Sequence, residues 1–152
     1  MSLKVNFYAA KFEDWKLLLD WRNDELARKN SLINMDVIEE EAHKKWLKAT
    51  LENPDRRIYL AYKTGDKIGT VRFDRNGSSW EMSWNLAPEF RGRGLGKELV
   101  REACLFFPGN LTAQIKEDNV ASIEAAKYAG LRNVGKKGLI TLWELKKENH
   151  NA

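Results

Sequence analysis

Residues 88 to 103 read PEFRGRGLGKELVREA, with glycine at every second position from Gly92 to Gly96. Glycine weakens the interior of a helix or a strand, so this run forces an irregular turn. Its flanks are regular. WEMSWNLA, just before it, alternates apolar and polar side chains as a half-buried strand does. KELVREACLFF, after it, has helical spacing. The chain therefore passes from strand to helix through a loop with little side chain, beside Arg91, Arg93 and Lys97. Such a loop lets backbone N–H groups converge, and the helix N-terminus adds a positive end. Both favour an anion.

Two familiar anion loops do not fit. A G-x-x-x-x-G-K-[ST] loop needs a hydroxyl after the lysine to hold magnesium, and Glu98 stands there. A dinucleotide loop needs G-x-G-x-x-G inside a strand-helix-strand unit. Here the spacing is G-x-G-x-G, and strands rather than a βαβ unit precede it.

The rest of the chain supplies a sheet and helices. LKVNFYAA reads as a first strand and FEDWKLLLDWRND as a helix. ELARKNSLINMDV shows no clear period, and IEEEAHKKWLKATLEN is a second helix. RIYLAYK, KIGTVRFD and WEMSWNLA form a meander joined by TGD and RNGSS. After the glycine helix come a strand (LTAQIKE), a helix (NVASIEAAKYAG) and two final strands within LRNVGKKGLITLWELKK. At 152 residues this suits one domain, 1–152, with a flexible tail from about 147. Cys104, the one cysteine, excludes an internal disulfide and reads as a buried thiol. With neither a leader pattern nor a long apolar run, the expected location is cytoplasmic. Twenty-six basic residues against 22 acidic ones leave a net charge of only +4. No nucleic-acid motif accompanies it, so a nucleic-acid-binding module is disfavoured and no membrane partner is expected.

Arg91-Gly92-Arg93-Gly94-Leu95-Gly96 fits [QR]-x-x-G-x-[GA] after a strand, and EDNVASIEAAKYAGL carries Asn-x-x-[AS] before a helix ending in Gly and an apolar residue. Together with the element order, these two signatures resemble the GNAT N-acetyltransferase superfamily over nearly the whole chain. The resemblance implies an α/β (α+β) fold: one mixed, largely antiparallel sheet of about seven strands flanked by about four helices. It also implies acetyl-CoA as co-substrate, with no metal.

In that family the loop N–H groups bind the coenzyme pyrophosphate. This role falls on Arg91, Gly92, Arg93, Gly94, Leu95, Gly96 and Lys97, with Arg101 either a further contact or a solvated helix charge. The pantetheine arm would lie against backbone near Leu86 and Ala87, where family members splay two strands, with Asn119 and Ser122 also touching coenzyme. Attack on a thioester needs a neutral amine, hence a base. Glu81 matches the position of a glutamate base in several members; His43, taken as a surface side chain, is the alternative. Many members place a Tyr acid seven residues after the signature Asn, but here that residue is Ala126. Tyr128 is nine residues on. Seven residues turn a helix about 700° and nine about 900°, so Tyr128 should face the other way. Ser122 is the remaining candidate donor to the leaving thiolate.

Arg22, Asn23, His43, Trp46 and Arg72 are the acceptor-side candidates. They resemble two branches of the family, acting on amino groups of nucleotide-linked sugars or on N-terminal amines of ribosomal proteins. Interleaved basic and aromatic residues favour the nucleotide sugar, through phosphate pairing and base stacking. The structural alternatives are Trp46 as a core anchor and Arg22 in a surface ion pair. A non-catalytic acyl-CoA-binding module is the reading from a different class. The chain is expected to act as a monomer or homodimer on a small amine.

Overall fold

Alternation in the strands and apolar stripes on the helices build one seven-stranded sheet. The computed structural model describes residues 4–33 and 35–147. The chain runs β1 (Asn6–Ala9), α1 (Trp15–Arg22), α2 (Glu25–Asn30), α3 (Glu40–Glu52), β2 (Arg56–Lys63), β3 (Asp66–Asn76), β4 (Ser79–Leu86), α4 (Leu95–Phe106), β5 (Asn110–Lys116), α5 (Val120–Ala129), β6 (Arg132–Lys137) and β7 (Ile140–Leu145). Short 3-10 turns at Phe12–Asp14 and Pro88–Phe90 precede α1 and the glycine loop. The sheet order is β1-β2-β3-β4-β5-β7-β6. Only β4 and β5 pair parallel; the other neighbours are antiparallel. The mixed, largely antiparallel sheet matches expectation, with five α-helices in place of about four.

Each sheet face has its own core. Met82 packs with Val100, Ala103, Cys104, Ala125 and Ala126, which places α4 and α5 on one face. Leu18, Trp21, Leu47, Ile58 and Leu60 pack together on the other, beneath α1 and α3. Cys104 is buried as expected, and burial pushes its thiol up to about 12, so it stays protonated.

Residues 25–37, read as irregular, contain α2. Its six residues are too few to show a period. Charge and capping define it instead: Asp24 accepts from the Ala27 N–H at 3.1 Å, Glu25 lies in the first turn, and Arg28 and Lys29 in the last. At the start of the expected tail, Lys147 donates its N–H to Asn110 Oδ1 at 2.7 Å, and its ammonium meets the carbonyls of Cys104 and Phe107 at the end of α4. Residues 148–152, like Leu3 of the expected first strand, lie outside the described residues. Among the described residues, no helix is long and apolar enough to cross a membrane. No cluster of three or more His, Cys, Asp or Glu suited to a metal occurs there either.

Candidate active site

The central feature is a gap in the sheet. β4 and β5 pair only at Ser79↔Asn110, Trp80↔Leu111 and Glu81↔Thr112. Beyond that, β5 keeps pairing with β7 through Lys116, and β4 with β3 through Leu86. Between them the two strands part. The Ala87 N–H donates to the Ile68 carbonyl at 2.7 Å, so by strand alternation Asn85 and Ser83 also aim their backbone groups at β3. Trp84 and Leu86 aim theirs into the gap. Ala87 differs from expectation here. Its carbonyl accepts from the Phe90 N–H at 3.0 Å, so both its backbone groups are engaged.

The glycine loop ends at the mouth of this gap. Gly92 and Gly94 have φ of 79° and 76°, left-handed values that most residues avoid. Gly94 is the N-cap of α4 and has no side chain to cap it, which leaves the first-turn N–H groups to an outside acceptor. A Cβ at Gly92 or Gly94 would meet no atom within 4 Å, so both face open space that a ligand can reach. Arg93 and Lys97 are exposed; the Arg93 guanidinium lies 5.5 Å from the Phe90 ring and the Lys97 ammonium 6.0 Å from the Tyr128 ring.

Arg91 ties the glycine loop to the N-cap of α2: its Nη2 donates to Asp24 Oδ2 at 2.6 Å. Burial works against the Asp24 carboxylate, but the hydrogen bond and charge of Arg91 and the Ala27 and Leu26 N–H groups hold its pKa below 3.8.

Glu81 sits in the last paired rung before the gap opens, half-buried, where its Oε1 accepts from Gln114 Nε2 at 2.8 Å. Across the sheet, Ser122 Oγ accepts from Trp84 Nε1 at 3.2 Å, and Asn119 Oδ1 caps α5 by accepting from the Ser122 N–H at 3.3 Å. The Trp84–Ser122 contact ties β4 to α5. Ala126 is fully buried in the core beneath α5. Tyr128 is half exposed, and Arg101 Nη1 donates to its hydroxyl at 3.4 Å, on the side away from that core.

On the opposite face, α1, α3 and β2–β4 enclose a cleft of about 110 Å³ lined by Leu18, Arg22, Trp46, Arg72, Ser83 and Asn85 among others. Three guanidinium groups surround the Trp46 ring: Arg22 at 4.1 Å, Arg72 at 5.5 Å and Arg56 at 5.7 Å. Arg56 Nε and Arg72 Nε each donate to one oxygen of Asp74, at 3.0 and 2.9 Å. Burial first, then the charges of Arg72 and Arg56, lower the Arg22 pKa to about 10. It remains cationic at neutral pH.

His43 is not a surface residue. It is fully buried and stacks on Trp46 at 5.7 Å. Arg22 Nη1 donates to His43 Nδ1 at 3.0 Å, since a guanidinium cannot accept. The Nε2 then carries the proton and donates to the Trp15 carbonyl at 3.0 Å. Burial and the Arg22 charge lower the His43 pKa, partly opposed by the Trp15 carbonyl. With both nitrogens engaged, His43 orients Arg22 and has no free site for a substrate proton. Asn23 also has a structural task. Its side chain clasps the Ile38 backbone, donating to the carbonyl at 2.9 Å and accepting from the N–H at 2.7 Å.

Sequence reasoning missed Arg56 and Asp74, and it read Ser83 and Asn85 only as a polar strand face. The alternation of β4 was the available signal for those two. Asn85 also donates to the Trp21 carbonyl at 3.1 Å, fixing α1 over β4.

A family model described as an acetyltransferase (GNAT) domain matches residues 4–132. No curated protein sequence matches significantly. Among solved structures, a domain from Methanocaldococcus jannaschii superposes with a TM-score of 0.81 at 19% identity, covering 95% of this chain and 99% of the other. RimL, a ribosomal alpha-N-protein acetyltransferase in complex with coenzyme A, gives 0.79 at 14% identity and 95% coverage of both chains. Spermidine N-acetyltransferase from Vibrio cholerae, in complex with coenzyme A and spermine, gives 0.78 at 13% identity and 93% of both. At these identities the likeness establishes the fold.

Proposed function

The chain belongs to the GNAT acetyltransferase family, and from that premise we propose that it moves an acetyl group from acetyl-CoA to the amino group of a nucleotide-linked amino sugar. The observation that carries the coenzyme half is the open glycine cradle at the N-terminus of α4, set at the mouth of the gap between β4 and β5. Its first-turn N–H groups suit a pyrophosphate, with Arg93 and Lys97 as exposed cations beside it. Acetyl-CoA supplies an acyl group activated as a thioester.

The chain's own residues do the rest. Trp84 and Leu86 present backbone groups to an extended arm lying in the gap, as a neighbouring strand would. Their N–H groups are also the nearest fixed donors for negative charge developing on an acyl oxygen. Glu81, at the closed end of the gap, takes the proton from the acceptor ammonium, directly or through one water. His43 does not compete for that role, because its nitrogens are spent on Arg22 and Trp15. Ser122, whose Oγ already accepts from Trp84, keeps its own hydroxyl proton for the departing thiolate. A thiolate is a good leaving group, so the loss of a tyrosine at Ala126 does not stop the reaction.

The arginines around Trp46 favour an acceptor with phosphate and a flat base over a plain amine. A second reading, transfer to the N-terminal amine of a protein, draws on one feature. Ile33, Met35 and Val37, between α2 and α3, are exposed apolar side chains, with Ile33 92% exposed, and a protein acceptor would cover them. Titration calorimetry with acetyl-CoA, followed by thiol release with sugar-nucleotide and peptide amines, separates the readings. Turnover of the sugar nucleotide above the peptide is expected. Absence of acetyl-CoA binding would sink the proposal.

A further inference from the structure

We infer that Arg22 and Arg72 form a subsite for an acidic group on the acceptor, so that the enzyme takes amines bearing a phosphate or carboxylate and turns away polycations. This deepens the transferase reading and rests on it. The named cleft residues include two arginines and no acid, and Arg56 adds a third guanidinium behind Trp46. The Asp74 carboxylate is divided between Arg56 and Arg72, one oxygen to each. No carboxylate pairs with Arg22 among the described residues; its charged neighbours are Arg72 and Arg56. Crowding like charges in a half-buried cleft is unfavourable unless an anion joins them.

Arg22 is also aimed. One guanidinium nitrogen is held by His43, itself fixed through the Trp15 carbonyl, and the guanidinium lies over Trp46. Its other N–H donors remain for a forked contact with an acidic group. His43 serves here as a positioning residue. Its neutral state matters, because an imidazolium would repel Arg22 and could not accept from it.

Register relates the subsite to the proposed base. Ser83, opposite Arg72, and Glu81, opposite Asp74, lie two residues apart on one face of β4. An acidic group held by Arg22 and Arg72 and an amine at Glu81 therefore belong to one face of the sheet and can belong to one acceptor.

The test is kcat/KM from thiol release with five amines: glucosamine, glucosamine 6-phosphate, UDP-glucosamine, a peptide with N-terminal glutamate, and spermidine. The phosphate and carboxylate arms identify the source of the acid. At least one acidic amine should exceed glucosamine by about tenfold or more, with spermidine lowest. Arg22→Gln should bring the ratio of acidic amine to glucosamine to within about threefold, mainly through KM, while Arg22→Lys restores part of it. Spermidine equal to or better than every acidic amine would overturn the inference but leave the transferase reading standing. So would an unchanged ratio in a folded Arg22→Gln enzyme. Turnover of no amine at all would overturn both.

Discussion

At Gly94 and His43, single residues carry demands that no other side chain meets. Gly94 has φ of 76° and faces open space, so its cost to substitution is conformational on the protein side and steric on the ligand side. Gly94→Ala should lose about 1 kcal/mol of stability. Gly94→Glu should in addition abolish coenzyme binding, by setting a carboxylate in the space proposed for the pyrophosphate; titration calorimetry distinguishes the two. His43 gives a pH prediction. Its folded pKa lies below the 6.5 of the unfolded chain, so the unfolded state binds more protons in the interval between them. The contribution of neutral His43 to stability is therefore full above pH 6.5 and declines as pH falls below it, by at most about 1.4 kcal/mol per pH unit. Urea denaturation at pH 7.5 and 5.0 should show a larger loss for the wild type than for His43→Gln.

Elements are positioned by contacts that differ in how visible they are in sequence. The β3–β4 pair depends on Gly69, where a Cβ would come within 2.6 Å of the Asn85 carbonyl. Gly69→Ala should cost about 1–3 kcal/mol, read as a lowered Tm, because backbone on both strands must shift. Helix α2 joins the glycine loop through Asp24 and Arg91. Asp24→Ala removes both the cap and the ion pair, and should lose about 1–2 kcal/mol in thermal or urea unfolding. The strand alternation, the glycine turn and the capped α5 were legible because each is a local pattern. Helix α2 was not, being too short for periodicity, although its caps were present. Nor was the clustering of Arg22, Arg56 and Arg72 on Trp46. Those residues come from α1, β2, β3 and α3, and only the sheet register combined with the packing of α1 and α3 on that face brings them together. His43 looked like a surface residue for the same reason: its partners, Arg22 and Trp15, are 21 and 28 positions away.

In the molecule as a whole, the proposed reading brings two half-sites together at one gap in the sheet. On that reading the coenzyme side comprises the glycine loop, α4 and α5, and the acceptor side comprises α1, α3 and the cleft faces of β2–β4. They communicate where β4 leaves β5, and Glu81 stands at the last rung before that opening. This arrangement explains why the donor was readable from one short stretch while the acceptor was not. The cradle is local sequence, whereas the candidate acceptor cleft is assembled across five elements, α1, α3 and β2–β4. In the proposed reaction, proton removal falls at this junction, on Glu81. Thiol release from acetyl-CoA at saturating amine and neutral pH, compared between wild type and Glu81→Gln, tests it most directly. The predicted result is a fall in kcat of about 10²- to 10⁴-fold with unchanged coenzyme affinity. An unchanged kcat in the variant would contradict it.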